Sequence, residues 1–261
     1  MNVANISFGG LAAGYALLLA PLAFLLWYQV PLLKDSLIAV LRMTAQLLFV
    51  GFYLQFVFEW NNPWLNSAWL LAMVSVADAS IMRGAGLRLA RFVLPVFIAL
   101  LAGTLLPLLF FMGPVLRQPN WLDAQYVIPI CGLILGNCLR ADIVGVSRFY
   151  CSVRDGEHLF LHHLAQGARL GEALTPFLRE ASQAALAPTV ASMATLGLVS
   201  LPGMMTGIIL AGADPVTAVK YQIAIMIAIF SGTAITVPLV IWLTIKSSFN
   251  GFGVLDRNVF A

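Results

Sequence analysis

Residues 92–112 read FVLPVFIALLAGTLLPLLFFM, an apolar run without a charged side chain. A helix that crosses a bilayer needs about 20 such residues, because the hydrocarbon core is ~30 Å thick and a helix rises ~1.5 Å per residue. The run therefore predicts a membrane-spanning helix. Stretches of similar length and character recur along most of the chain.

The composition places the rest of the chain in the same class. Of the 261 residues, 61% are hydrophobic and only 10% are charged, and the mean hydropathy is +0.94. A soluble domain carries about 25% charged residues, because its surface faces water. Lipid must therefore be the main solvent of this chain. The formal net charge of +3 gives no indication of a nucleic-acid partner.

Seven segments predict an all-α polytopic membrane protein with about seven transmembrane helices. The third segment is the weakest of these predictions, because Asp78 and the Asn-Asn-Pro turn at 61–63 leave little room for an apolar span. The sixth contains Pro202 and several glycines. The predicted segments are 8–28, 37–58, 63–82, 92–112, 124–142, 186–211 and 219–245.

The distribution of Lys and Arg predicts the orientation. If the connections after segments one, three, five and seven face the cytoplasm, only Arg117 and Lys220 of the 14 basic residues remain on the other side. Cytoplasmic loops are enriched in basic residues, so we expect the N-terminus outside and the C-terminus in the cytoplasm. The first basic residue is Lys34, so no positively charged signal region precedes the first segment, which is expected to be retained.

One connection is unlike the others. Residues 140–185 contain all three histidines and a mixture of basic and acidic side chains, on the predicted cytoplasmic side. Apolar residues at helical spacing between Val146 and Val153 predict that the fifth helix continues beyond the membrane. A second helix is expected from about Leu170, after a turn that Gly167 permits.

Two roles remain open for this connection. A helix–turn–helix could dock in a groove of a soluble partner, or its apolar face could lie on lipid headgroups. We treat 1–261 as a single transmembrane domain and 140–185 as a cytoplasmic extension within it. His158 and His162 have the spacing of a zinc pair. Two ligands on a solvated linker are weak evidence for a metal site, so we expect these histidines to be ordinary surface residues. The metal ligands of the chain, if it has any, stay unknown.

Pro202 predicts a break or bend in the sixth helix, because it lacks a backbone N–H and its ring disturbs the carbonyl of Leu198. Backbone groups freed at membrane depth are tolerated where they line a water-filled path. Residues 198–207 are therefore the first candidate for a translocation route. The alternative is a packing kink in which Gly203 and Gly207 form a small-residue helix contact.

Met204 and Met205 are the soft donors of this stretch. Thioethers favour Cu(I), whereas iron prefers oxygen and nitrogen ligands, so these methionines do not by themselves support iron. Adjacent helical residues point about 100° apart, so both side chains cannot face one ion in a regular helix. Packing in the core or at a gate is the expected role.

Polar side chains within the spans complete the candidate path, because a polar group in hydrocarbon tends to face a cavity or another polar group. The amides of Gln46 and Asn137 could offer an oxygen to a cation or hydrogen-bond between helices. Asp78 could pair with Arg83 or Arg42, or attract a cation. The predicted substrate path comprises Gln46, Asp78, Asn137, Ser200, Pro202, Gly203, Met204, Met205 and Gln222.

An intramembrane enzyme is the competing class of protein. It would need a nucleophile, a base or a metal constellation at membrane depth, yet Ser200 and Ser231 have no histidine within any predicted span. The phosphate loop Gly-x4-Gly-Lys-Ser/Thr is also absent from the sequence. Any ATP-driven mechanism would therefore use a nucleotide site on a partner. The helix-breaking Pro-Gly pair disfavours a purely structural scaffold.

The sequence also carries family motifs. Residues 197–207 read GLVSLPGMMTG and are followed by Asp-Pro at 214–215 and Lys-Tyr-Gln-Ile at 220–223. With Ile-Pro-Ile-x-Gly at 128–132 and Arg-x3-Gln-Leu-x3-Gly at 42–51, this pattern resembles the FetB (YbbM) family of iron-exporting ABC permeases over nearly the whole chain.

A second likeness lies in the polar connection. Gly167 and Ala168, followed by Ala173 and Leu174, resemble the Gly-Ala core of the coupling segment that ABC permeases insert into their ATPase. The acidic Glu-Ala-Ala head found upstream in many importers is missing. That departure argues against an ordinary importer that depends on a substrate-binding protein.

The resemblance implies the permease subunit of an ABC transporter that exports a metal ion, iron in that family, with another metal or a small organic solute as alternative cargo. It implies a homodimer of this chain in the inner (plasma) membrane of a bacterial cell, surrounded by lipid. Two separate ATPase subunits would bind ATP-Mg, so this chain would hold no cofactor and would not be an enzyme by itself. The residues implied for ATPase coupling are Gly167, Ala168, Arg169, Gly171, Glu172 and Phe177.

Overall fold

The computed structural model describes residues 7–86, 88–250 and 253–256, with side chains for all of these except 8 and 89–91. The described residues form helices joined by turns, and β-pairing among them is confined to two isolated bridges. The all-α fold class is therefore confirmed. The predicted orientation concerns termini, 1–6 and 257–261, that lie outside the described residues.

The chain divides into two compact units, and the first comprises the residues up to Asn61 together with Leu210–Gly212. Its helices are α1 (Phe8–Ala16), α2 (Leu19–Trp27) and α3 (Leu33–Trp60). A short turn separates α1 from α2, so Gly9–Trp27 forms one apolar stretch of spanning length, as does α3. The hydroxyls of Tyr15 and Thr44 lie 2.5 Å apart and tie α1 to α3.

The second unit holds the remaining helices, apart from the last residue of α9. They are α4 (Pro63–Gly84), α5 (Leu89–Phe110), α6 (Ala124–Asp155), α7 (Glu157–Ala165), α8 (Leu170–Thr195), α9 (Gly203–Leu210) and α10 (Pro215–Ser248). The starts of α4, α6 and α10 follow from sequence, since Asn62, Asp123 and Asp214 each cap an N-terminus with a side-chain oxygen. Proline follows two of these caps, at the first helical position, where its missing N–H does no harm.

The central helix of the second unit is α10, which contacts α5, α6 and α8. It runs parallel to α6, because Gly232 lies beside Cys138 and, further along both helices, Val237 lies beside Gly145. The hydroxyls of Tyr150 on α6 and Ser248 on α10 then meet at 2.6 Å in a buried hydrogen bond. Two helices that run in the same direction need a return segment between them.

That return segment is α8. It runs antiparallel to α6, since Ala185 lies beside Gly145 and the earlier Glu180 pairs with the later Arg148. Six helical stretches of the described chain have the length and apolar composition of membrane spans, and the less apolar α8 is not among them. Its antiparallel course relative to α6 supports α8 as a further crossing of the membrane. The number of seven crossings stays a prediction.

The predicted break in the sixth span, 186–211, is confirmed, but it lies at Gly197 and not at Pro202. The helix α8 ends at Thr195, the chain turns at Gly197 with φ +82°, and α9 begins at Gly203. The physical reason is the left-handed conformation of Gly197, which ends helices at low cost. Pro202 stands just before α9 and its carbonyl accepts a helical N–H, so the proline starts a helix instead of bending one.

The tightest packing in the second unit lies between α5 and α10. A Cβ added to Gly232 would come within 2.9 Å of the Gly103 carbonyl oxygen and 3.1 Å of the Cys138 sulfur. A Cβ added to Gly103 would in turn overlap the Thr236 side chain. Small residues at such points let helix backbones approach closely in a membrane bundle, where packing drives association.

We predict that Gly232→Ala destabilises the protein, because the added methyl group meets backbone that cannot move aside. Overpacking of this kind costs about 1–3 kcal/mol. Thermal unfolding of the purified protein in detergent measures the loss. Gly136→Ala on α6 is the matched control, since its Cβ would meet nothing within 4 Å. Equal melting temperatures for the two variants would contradict the close approach.

Candidate functional site

An apolar cavity lies in the second unit between the end of α8, the start of α9 and the first half of α10. Its volume is about 360 Å³. Three methionines border it, one from each helix, and Gln222 is the one lining side chain with an amide. The lining residues are Met193, Leu196, Gly197, Pro202, Met205, Val219, Gln222, Ile223, Met226 and Ile227.

A polar cavity of about 350 Å³ lies further along the same helices. It is lined by Asn137 and Arg140 of α6, by Thr189 and Ser192 of α8, and by apolar neighbours. The side chain of Met226 borders this cavity as well as the apolar one. The two cavities are therefore adjacent along α8 and α10, and Met226 borders both of them.

The predicted path residues divide into two groups. Pro202, Met205 and Gln222 line the apolar cavity, and Asn137 lines the polar one. Asp78 on α4, Ser200 in the turn before α9, and Gly203 and Met204 on α9 do not line either cavity. Gln46 lies on α3, in the first unit.

Hydrogen bonding in the polar cavity already occupies Asn137. Its amide nitrogen donates to the Leu133 carbonyl at 2.7 Å, one helical turn back, and its amide oxygen accepts from Arg140 at 3.3 Å. The guanidinium of Arg140 thus remains at the cavity wall as a fixed positive charge. A cation that passed this cavity would meet that charge, whereas an anionic group would be attracted by it.

Met204 and Met205 occupy different environments. Met205 lines the apolar cavity, whereas Met204 does not. Both lie in the regular helix α9, so the side chains diverge by about 100°. The sequence-based expectation that the two cannot face one ion agrees with this geometry.

The buried carboxyl of Asp142 was missed by the sequence reasoning, which ended the fifth span at that residue. Asp142 is fully buried within α6, and neither carboxyl oxygen has a hydrogen-bond partner within the described residues. The polar group that faces it is the Thr236 hydroxyl of α10. The signal available in the sequence was the continued apolar spacing after Asp142, which places it in mid-helix.

Residues 156–169, which we call the elbow, comprise α7 and the turn into α8. The predicted continuation of the fifth helix and the predicted helix start near Leu170 are both confirmed, since α6 extends to Asp155 and α8 begins at Leu170. The turn depends on Gly167, whose φ of +89° is left-handed. Its neighbour Arg169 donates its backbone N–H to the Glu172 carboxylate at 2.8 Å, which caps the start of α8.

The residues implied for ATPase coupling fall into an exposed and a buried set. Gly167, Arg169, Gly171 and Glu172 are exposed, and Ala168 is partly exposed. Phe177 is buried, with its ring 6.3 Å from the Phe160 ring in an edge-to-face contact. Phe177 therefore packs α8 against α7 of the elbow.

The elbow is fixed to the ends of the helices that border the cavities. The Phe160 ring of α7 lies 5.8 Å from the Phe249 ring, directly after α10. Phe177 also packs against Gly156, where α6 meets α7. A displacement of the elbow would therefore be transmitted to α6, α8 and α10 together.

The histidines of the elbow lie on its surface or are partly exposed. No group of three or more His, Cys, Asp or Glu side chains with metal-binding geometry occurs in the part of the chain that the structure describes. His158 and His162 are exposed, and a ring nitrogen of His162 lies 3.0 Å from the Gln166 amide nitrogen.

This architecture defines a multi-span α-helical membrane protein with cavities between its helices, beside a broken helix. The profile of the family described as "Uncharacterised protein family (UPF0014)" matches residues 8–249, and the chain belongs to that family. The resemblance drawn from the sequence motifs is thereby confirmed. No solved structure matches the chain.

Three relatives illustrate the range of the family. The "UPF0014 membrane protein slr1647" of Synechocystis is 33% identical, over 90% of both chains. The "Probable iron export permease protein FetB" of Escherichia coli is 33% identical, over 96% of this chain and 95% of its own. The "Protein ALUMINUM SENSITIVE 3" of Arabidopsis thaliana is 31% identical, over 94% of this chain and 89% of its own.

The polar cavity should be open to water. We predict that a cysteine at Ser192 reacts with a charged thiol reagent, since Ser192 is exposed at the cavity wall. The native Cys131 and Cys138 are buried and serve as internal controls, provided that the partly exposed Cys151 is first changed to Ser. Mass spectrometry reports the labelled position. A Ser192→Cys side chain as unreactive as Cys138 would show that water does not enter.

The Asp142 carboxyl should not stabilise the fold. A buried polar group without a partner is unfavourable, because it has lost its bonds to water. Asp142→Asn keeps the shape of the side chain and removes the possibility of a charge. We expect a melting temperature in detergent at least equal to that of the parent protein. A clear decrease would show that the carboxyl has a structural partner.

Proposed function

We propose that this chain is the permease subunit of an ABC transporter in the inner membrane of a bacterial cell. The observation that carries the proposal is the attachment of the elbow to α6, α8 and α10, because α8 and α10 border both cavities and α6 borders the polar one. An exposed turn with rigid connections to cavity walls suits a part that transmits force from a soluble motor. The Escherichia coli relative adds support, since it is named as a probable iron export permease.

The energy source lies outside the chain. Because the sequence has no phosphate loop, the ATP-Mg would be bound by separate ATPase subunits, each docked on one elbow. The permease would act as a dimer of this chain, with a cytoplasmic C-terminus and an extracytoplasmic N-terminus. ATP binding would move the two elbows, and the helices fixed to them would change the access to the cavities.

The cargo that the relatives favour is a metal ion, with iron first. The direction of transport, export from the cell, rests on the name of the Escherichia coli relative. Overexpression of the chain with its ATPase should lower cytosolic iron, which elemental analysis of washed cells measures. Unchanged iron together with an altered level of another metal would move the proposal to that metal. A small organic solute is the remaining alternative.

The coupling role of the elbow is tested by adding bulk directly beside it, at Gly171, one of the residues implied for ATPase coupling. This glycine is exposed in the first turn of α8, and a Cβ there would meet nothing within 4 Å. Gly171→Trp should therefore fold normally but block a docking surface. We expect loss of co-purification with the ATPase encoded beside this chain, or loss of ATPase stimulation. Gly167 is a poorer choice, because its positive φ makes any substitution strained.

Gly51→Trp provides the matched control, since Gly51 is also an exposed helical glycine with open space around its Cβ. It lies on α3, outside the elbow, and should keep the complex and its activity. If Gly171→Trp retained the ATPase and its stimulation as fully as Gly51→Trp, the elbow would not be the coupling element.

A further inference from the structure

The apolar cavity carries an unusual set of donor atoms. Met193 of α8, Met205 of α9 and Met226 of α10 line it from three separate helices, and each carries a thioether sulfur. Methionine is flexible and polarisable, so these side chains can move inward from the border of a space of about 360 Å³. In a closely packed core the same side chains would have no such space.

Gln222 adds an oxygen to this set. Its side chain lines the cavity and only 9% of the residue is exposed, yet its amide oxygen Oε1 has no hydrogen-bond partner in the described part of the chain. An unsatisfied buried acceptor of this kind costs about 1–3 kcal/mol. A positively charged or hydrogen-bonding guest in the cavity would remove that cost.

The donors select the kind of ion. Thioethers are soft ligands and favour Cu(I), whereas hard cations require carboxylates, carbonyls or water. The ten residues that line the cavity include no carboxylate, imidazole or thiol. A neutral donor set also favours the lowest ionic charge, because an uncompensated charge in an apolar site is expensive. Iron and aluminium ions, which are harder and more highly charged, do not match this wall.

We propose that this cavity binds a soft monovalent metal ion of the Cu(I) class, held by the sulfurs of Met193, Met205 and Met226 and by Oε1 of Gln222. Only its role as a station on a transport path rests on the proposed permease function. The turn at Gly197, with a positive φ and open space around the glycine, lets α9 adjust so that Met205 can approach the ion.

Silver(I) is the probe, because it shares the ligand preference of Cu(I) and is not oxidised in air. The full chain, purified in detergent, is labelled with ¹³C at the methionine methyl groups, so that each of its nine methionines gives a signal. Single Met→Leu variants assign Met193, Met205 and Met226. On addition of silver nitrate these three signals should shift together and saturate, while that of Met73 on α4 stays in place.

Two further measurements separate the outcomes. Ferrous iron added without oxygen should leave the three signals unchanged, and the triple Met→Leu variant should lose silver binding in a competition titration, while Met73→Leu keeps it. The absence of any silver-induced shift at the three methionines would overturn the proposal, as would undiminished binding by the triple variant. A shift induced by benzene but not by silver would also overturn it, in favour of an apolar organic guest.

The test does not involve the ATPase. Silver binding without ATPase association would support the metal site and contradict the ABC permease proposal. ATPase association without silver binding would contradict only the metal site.

Discussion

The contact between Gly103 and Gly232 is the constraint on which the second unit depends. At this point the backbones of α5 and α10 approach so closely that neither residue has room for a methyl group. The same glycine of α10 lies against Ile134 and Cys138 of α6. One small residue, Gly232, therefore fixes the register of three helices. That register sets the parallel course of α6 and α10, the return of α8 between them and, in consequence, the cavities.

Much of this architecture could be predicted from the sequence, because a bilayer imposes a simple length rule on apolar segments. The spans of the first unit, the long extension of α6 and the start of α8 near Leu170 all follow from apolar spacing. The turn at Gly167 follows from the one residue type that adopts its φ without strain. These features are local, so the residues that decide them are neighbours in the chain.

The features that could not be predicted depend on contacts between distant segments. Asp142 is buried by α10, whose Thr236 is far away in sequence. Met193 and Met226 have no local mark that distinguishes them from lipid-facing methionines, and only the packing of α8 on α10 brings them to one wall. The break in the sixth segment was anticipated from Pro202, but the left-handed residue is Gly197, and a glycine alone does not reveal its φ.

The central position of α10 has a consequence for how the protein is made. It follows α5, α6 and α8 in the chain and so leaves the ribosome after them, yet it supplies the contacts that close the second unit around these three helices. Until it enters the membrane, the side chain of Asp142 and the glycine face of α5 remain uncovered. The earlier helices contact one another but lack the contacts that α10 adds. A nascent chain arrested before Pro215 would present an open, partly polar groove to the quality-control machinery of the membrane.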